Sequence, residues 1–285
     1  MNTKVINLYD YFGMEKKQGY KGELKCLIKD EPKTYNQNYV YPAMLVISGG
    51  GYAYCSPREA DPIAIRYSVF GFQTFILDYT PGLVQNYPTQ FLEACMAMIY
   101  IRENAQEYNI AKDMVSAVGF SAGGHLCGCL ATLFDDPIAA KIFGKRAELI
   151  RPDAVVLSYP VITSGEKAHT GSFDNLCGKD RNLRKYLSLE NRVTRNSSPA
   201  FLWHTYEDGA VPVYNSLAYA LACENNKVPF ALHIYEKGGH GLATAELDTN
   251  SQAALDKTST GANKWLKLSV KWLKDRNIKL RAKSK

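Results

Sequence analysis

Within the stretch VSAVGFSAGGHL, residues 115–126, Ser121 stands between Gly119 and Gly123. A G-x-S-x-G that follows a strand and opens a helix forces a sharp turn, and the turn lifts the serine hydroxyl above the sheet. The N–H of the next residue, Ala122, then points at a substrate oxygen, and the helix N-terminus adds partial positive charge where an anion would develop. In this setting Ser121 is the candidate nucleophile. The bland alternative is a turn built from small residues for tight packing alone.

A serine nucleophile needs a base, and the chain has five histidines to choose from. His125 lies one turn into the helix that Ser121 opens, pointing along it, which suits packing or support. His204 and His233 fall inside strand-like runs, where satisfied structural roles dominate. His169 lies in an irregular stretch that fixes no position for it. His240 sits in KGGHGL, a glycine-rich loop just after the last strand-like run, where a base can reach over the sheet edge. It is the candidate base.

The third group must orient the imidazole and stabilise its protonated form. HTYEDGAVPV offers Glu207 and Asp208 directly after the penultimate strand-like run. Asp208 precedes a Gly209 turn and the helix beginning near Pro212, so its short side chain projects from the loop. Glu207 is the fallback, and a plain helix cap is the structural alternative. The order Ser121, Asp208, His240 is the nucleophile–acid–base order of α/β-hydrolase sites.

An oxyanion site needs a further donor. SGGGY, residues 48–52, follows the first long central strand-like run, and its bare backbone lets N–H groups approach a carbonyl closely. Gly50 and Gly51, with Ala122, are the candidate oxyanion donors. The triple glycine could also serve a phosphate, but no G-K-[ST] or G-x-G-x-x-G continuation follows. The histidines are not paired at ligand spacing and no H-E-x-x-H or Asp-rich loop is present. We therefore expect no metal and no cofactor.

These groups must be positioned by the elements between them. GELKCLIK (22–29) is an early strand after a polar start, followed by the turn-rich PKTYNQN. AMLVIS (43–48), QTFILDY (73–79), VSAVGF (115–120), DAVVLSY (153–159), AFLWHTY (200–206) and FALHIYE (230–236) read as further strands. READPIAIRYSVFG, residues 89–108, AGGHLCGCLATLF and VYNSLAYALACENN read as helices between them. This alternation predicts an α/β fold, a mostly parallel central sheet with helices on both faces, and sites beyond the carboxyl ends of its strands. One domain over 1–285 is expected. Residues 161–199 break the rhythm, so an insertion, either a small cap or a surface excursion, is expected there.

Hydrophobic residues at 46% and charged residues at 22% are ordinary for a soluble globular chain. No apolar run is long enough to span a bilayer. Residues 1–20 lack the marks of a signal peptide, and the seven scattered cysteines form no C-x-x-C pair. Reduced thiols and a cytoplasmic location are the resulting expectation. The net charge of +6 is concentrated: residues 264–285 hold nine Lys or Arg against Asp275 alone, a local +8 that leaves the rest near −2. With Trp265, Leu268 and Trp272 at helical spacing, the segment reads as a closing helix with a solvated basic face and a frayed tail. No nucleic-acid or membrane partner is expected.

With these pieces assembled, the chain resembles the α/β-hydrolase superfamily over nearly its whole length. More narrowly it resembles esterases related to acetyl xylan esterase and the hormone-sensitive-lipase group. The resemblance rests on SGGGYAYCSPREADPIA, LDYT, VGFSAGGHL, PAFLWHTYEDGAVPVYNS and KGGHGL. It implies a triad of Ser121, Asp208 and His240, with oxyanion donors Gly50, Gly51 and Ala122. Ser48 stands where the lipase-like pattern begins with His, which favours the acetyl-esterase branch. The implied activity is hydrolysis of short-chain acyl esters, acetyl above all, on carbohydrates such as xylo-oligosaccharides. Tyr52, Tyr54, Tyr79 and Tyr206 fall near the expected site and could stack on sugar rings; Tyr52 and Tyr79, with Val211, are the candidate substrate contacts. A small-molecule ester is the expected partner, and a homo-oligomer is compatible with the sequence. The competing readings are a prolyl-oligopeptidase-type peptidase, for whose propeller the chain has no room, and a catalytically silent binding protein on the same fold.

Overall fold

Six of the seven apolar runs read as strands line up side by side in parallel in the molecule. The computed structural model describes residues 2–29 and 40–283, with only the helical backbone described over 277–283; PKTYNQN lies outside the described residues. In chain order the elements are β1 (Asn2–Asn7), α1 (Leu8–Phe12), β2 (Glu23–Ile28), β3 (Tyr41–Ile47), α2 (Asp61–Val69), β4 (Gln73–Asp78), α3 (Thr89–Glu103) and β5 (Ile110–Phe120). They continue with α4 (Ser121–Thr132), α5 (Pro137–Phe143), β6 (Val155–Ser158), α6 (Thr170–Cys177), α7 (Arg181–Tyr186) and β7 (Ala200–Thr205). The chain closes with α8 (Tyr214–Asn225), β8 (Phe230–Tyr235), α9 (Gln252–Leu255) and α10 (Trp265–Lys283).

The eight strands form one sheet in the order β1-β2-β4-β3-β5-β6-β7-β8. From β4 across to β8 every pairing is parallel, and β2 joins β4 and β1 antiparallel. Successive residues of the central strands feed opposite faces, as the two-residue period of a strand requires. Leu45, Ala117, Leu157 and Leu202 pack on one side with Met96 of α3, Leu126 of α4 and Tyr219 of α8. Val46, Val118, Val156 and Trp203 pack on the other with Tyr67 of α2 and Trp265, Val270 and Leu273 of α10. This two-sided burial explains why the central runs are apolar without alternation. No helix among the described residues is long and apolar enough to cross a membrane.

Three elements differ from the sequence reading. The polar start is in fact β1 and α1; β1 is an edge strand whose first four residues are exposed, so it carries no buried alternation to read. The closing helix is rotated from the expected stripe: it buries Trp265, Leu266, Val270 and Leu273 and leaves Leu268 exposed, with Trp272 half-buried. Residues 161–199 hold α6, α7 and a short 3-10 turn at Leu189–Asn191. They pack down on the glycine loop after β3, where Asn175 Nδ2 donates to the Gly51 carbonyl at 2.8 Å.

Candidate active site

The nucleophile turn begins where β5 ends, between β3 and β6: Gly119 pairs with Ile47, and Phe120 with Ser158. Ser121 then adopts φ 52° as the first residue of α4. A left-handed conformation in a non-glycine residue costs about 1–2 kcal/mol, and the packing around it must hold it there. Gly123 shows how tight that packing is, since a Cβ at this position would lie 2.3 Å from the Ser48 carbonyl oxygen and 2.4 Å from that of Ile47. Only a bare backbone lets α4 start this close to the end of β3. The Ser121 hydroxyl is left at the mouth of the sheet, with the residue 6% exposed.

His240, on the loop after β8, brings Nε2 to 2.8 Å from Ser121 Oγ and Nδ1 to 2.6 Å from Asp208 Oδ2. The carboxylate can only accept, so Nδ1 carries the hydrogen and Nε2 is free to accept from the serine hydroxyl. Asp208, on the loop after β7, has a fully buried side chain. Its Oδ1 accepts the N–H groups of Ala210 and Val211 at 3.0 and 2.9 Å. A second imidazole approaches Oδ2: His204 Nε2 lies 3.3 Å away. His204 Nε2 also meets the Val211 carbonyl at 2.9 Å, so it is the protonated nitrogen, and Nδ1 accepts from the Ser216 hydroxyl at 2.8 Å. Burial alone would raise the Asp208 pKa, but the hydrogen bonds from His204, His240 and the Val211 N–H outweigh it and hold the carboxyl well below the usual carboxylate range.

The glycine loop lies across Gly49 from the serine. Gly49 N–H donates to Glu59 Oε2 at 2.8 Å, whereas among the described residues no protein acceptor takes the N–H of Gly50 or Gly51. Gly50, at φ 121°, could carry no side chain, because a Cβ would lie 2.1 Å from the Tyr54 carbonyl oxygen. Ala122 is the second residue of α4, among the first helical N–H groups that have no intrahelical partner. Behind the loop, the Tyr52 hydroxyl meets His125 Nδ1 at 2.8 Å, and His125 Nε2 donates to the Leu187 carbonyl at 2.8 Å. Burial pushes the His125 pKa down to about 4, so the imidazole is a neutral strut between the glycine loop and residues 161–199. The histidine loop is braced by Trp265, whose Nε1 donates to the Ala243 carbonyl at 2.9 Å.

The structure thus brings Ser121, Asp208 and His240 into one hydrogen-bonded chain, with Ala122 next to the serine and the glycine loop approaching it at Gly49, where an added Cβ would lie 2.9 Å from Ser121 Cβ. Glu207 does not serve as the partner; its Oε2 accepts from Gly238 N–H at 3.4 Å. Of the candidate substrate contacts, Tyr52, Tyr79 and Val211 are all buried, so none offers an exposed face for stacking on a sugar ring, while Tyr52 lines a narrow gap behind the glycine loop. The Tyr79 hydroxyl is spent on the Ser48 carbonyl at 3.0 Å, and Val211 contributes its backbone to Asp208 and His204. Tyr54 and Tyr206 do face solvent, at 57% and 69% exposure. His169, which the sequence leaves unplaced, caps α6 through Ser172; burial first, and then the nearby charge of His240, lowers its pKa. Glu59, Tyr159 and Ser216 are unflagged in the sequence reading, and His204 is assigned there only a structural role.

Residues 31–222 match the BD-FAE family model. The endo-1,4-beta-xylanase B of Butyrivibrio fibrisolvens is 41% identical over 222 residues, covering 74% of this chain and 34% of that protein. The acetylxylan esterase of Xylanibacter ruminicola is 28% identical over 231 residues, covering 78% of this chain and 44% of that protein. The chain therefore spans less than half the length of these two curated relatives. Among solved structures, the acetyl ester-xyloside bifunctional hydrolase from Caldicellulosiruptor lactoaceticus superposes with a TM-score of 0.78 at 35% identity, covering 90% of this chain and 88% of that one.

Proposed function

The chain belongs to the BD-FAE family of α/β hydrolases, and from that premise we propose that it is a serine carboxylesterase acting on short-chain acyl esters, acetyl groups on xylo-oligosaccharides above all. The observation that carries the reading is the paired contact of His240, 2.8 Å from Ser121 Oγ and 2.6 Å from Asp208 Oδ2. Ser121 Oγ attacks the ester carbonyl while His240 Nε2 takes its proton. The developing oxyanion is met by the N–H groups of Gly50, Gly51 and Ala122, each such donor contributing roughly 3 kcal/mol to lowering the barrier. The tetrahedral intermediate collapses, His240 returns the proton to the leaving alkoxide, and the alcohol departs. Water, deprotonated by the same imidazole, attacks the acyl-serine and releases the carboxylic acid. Ionised Asp208 keeps the imidazole in the required tautomer and stabilises it when protonated.

Acetyl preference is supported by the similarity to an acetylxylan esterase and to an acetyl ester-xyloside hydrolase. The carbohydrate is supported by the xylan-related relatives and by the exposed rings of Tyr54 and Tyr206, which offer stacking faces. In this reading residues 161–199 are a small cap on a single catalytic domain. The test is hydrolysis of p-nitrophenyl acetate, butyrate and octanoate by wild type and Ser121→Ala, then acetate release from acetylated xylo-oligosaccharides. Equal rates for the two proteins would remove Ser121 from the mechanism. A preference for octanoate would overturn the short-acyl assignment.

A further inference from the structure

The reaction above makes no use of Glu59, although it is the acid closest behind the glycine loop. Its residue is 3% exposed, and burying a carboxylate is costly unless its oxygens are satisfied. Each oxygen has one specific donor. Oε2 accepts the Gly49 N–H at 2.8 Å, and Oε1 accepts the Tyr159 hydroxyl at 2.8 Å. The Tyr159 oxygen in turn accepts the Ala243 N–H at 2.8 Å. Gly49 precedes the oxyanion candidates Gly50 and Gly51, and Ala243 lies three residues past His240. A Cβ on Gly49 would sit 2.8 Å from Glu59 Oε2 and 2.9 Å from Ser121 Cβ, so one glycine separates the carboxylate from the nucleophile's own side chain. Tyr159 meanwhile lays its ring edge-on against the His240 imidazole, with centroids 5.1 Å apart, and holds φ 36° at the end of β6 to do so.

We infer that Glu59 is a positioning residue for this reaction: through Gly49 and Tyr159 its carboxylate fixes the oxyanion loop relative to the histidine loop. The inference rests on the esterase reading above. Reaction geometry must be held to well under an ångström, and hydrogen bonds behind the reacting groups are what hold it. The titratable and charged groups facing the carboxylate are Tyr159, Tyr79, His240 and Arg58. Burial raises the Glu59 pKa, and the hydrogen bonds from the Tyr159 hydroxyl and the Gly49 N–H oppose it.

The experiment compares wild type, Glu59→Gln, Tyr159→Phe and the double variant on p-nitrophenyl acetate, with Ser121→Ala as control and thermal melts of all. Gln keeps the volume, but its amide cannot accept from Gly49 and Tyr159 at once. We expect kcat to fall about 10- to 100-fold in Glu59→Gln with KM changed less than about twofold, because misplacement by an ångström costs about that much. The double variant should lose no more than Glu59→Gln alone, since both changes cut one linkage. Wild-type kcat in Glu59→Gln, a loss that appears in KM rather than kcat, or losses that multiply in the double variant, would overturn the inference. If Glu59→Gln does not fold, Tyr159→Phe decides, and wild-type kcat in that variant overturns it. Activity surviving in Ser121→Ala would instead sink the esterase reading itself.

Discussion

His204 Nε2 lies 3.3 Å from Asp208 Oδ2, the same oxygen that His240 Nδ1 meets at 2.6 Å. Asp208 is thus held by a histidine on its own strand side while it holds the candidate base. The two contacts predict a ranking. Asp208→Asn should cost about 10⁴-fold in kcat, because the amide can settle the imidazole in the wrong tautomer. His204→Asn should cost far less, roughly tenfold, since the N–H groups of Ala210 and Val211 still fix the carboxylate. Steady-state kinetics on p-nitrophenyl acetate check the order, and equal losses in the two variants would contradict it.

His125 gives a prediction about stability against pH. Burial lowers its pKa from 6.5 to about 4 in the folded protein. Below pH 6.5 the unfolded chain therefore binds a proton that the native imidazole refuses, so the contribution is whole above pH 6.5 and is lost as pH falls toward 4. The loss amounts to about 3 kcal/mol at one pKa unit per 1.4 kcal/mol. His125→Gln keeps an acceptor for Tyr52 and a donor for Leu187 but does not titrate. Denaturant midpoints at pH 7 and pH 4 should therefore fall further in wild type than in the variant. Parallel losses in the two proteins would show that His125 does not sense pH.

What could be read from the sequence and what could not divide along a physical line. Ser121, Asp208 and His240 each follow an apolar run, and in a parallel sheet every such run ends at the same edge. Their meeting point was therefore legible from chain order alone. Glu59 and Tyr159 are 100 residues apart, and no local pattern records a hydrogen bond between them. Tyr79 shows the converse: closeness to the site in sequence does not tell whether a ring faces solvent or the core, and its hydroxyl is turned inward to the Ser48 carbonyl. β1 leaves no apolar pattern because its first four residues are exposed at the sheet edge, and the buried stripe of α10 runs one position off the expected one. Leu268 and Trp272 keep the helical spacing there, but the sheet selects Leu266 and Val270 instead.

The glycine loop predicts two unlike alanine substitutions. At Gly50 the added methyl would meet the Tyr54 carbonyl oxygen at 2.1 Å, and φ 121° is closed to L side chains. At Gly51 the nearest atom is Ser172 Oγ at 3.9 Å, and φ 62° is the left-handed region, which costs about 1–2 kcal/mol. Gly50→Ala should therefore displace the donors and lower kcat by at least about 100-fold. Gly51→Ala should mainly lower the melting temperature by a few degrees and keep most of the activity. The pair of kcat values and melts checks this, and a reversed order would mean that the loop is not the oxyanion site.

The narrow gap behind the glycine loop sets the last prediction. It is lined by Tyr52, His125, Val161, Ser172, Phe173 and Leu176. Val161 is tied to the nucleophile's own backbone, its N–H donating to the Ser121 carbonyl at 3.0 Å. Leu176, on α6 within residues 161–199, is buried. Leu176→Ala removes methyl-bearing volume there without touching a hydrogen bond of the triad. A pocket that gains room for a methylene changes discrimination by about 1–3 kcal/mol per group. The butyrate-to-acetate ratio of kcat/KM should accordingly rise about tenfold, at a cost of about 2–5 kcal/mol in stability. Competition between p-nitrophenyl butyrate and acetate measures it. An unchanged ratio in a folded variant would mean that the acyl chain leaves Ser121 in another direction.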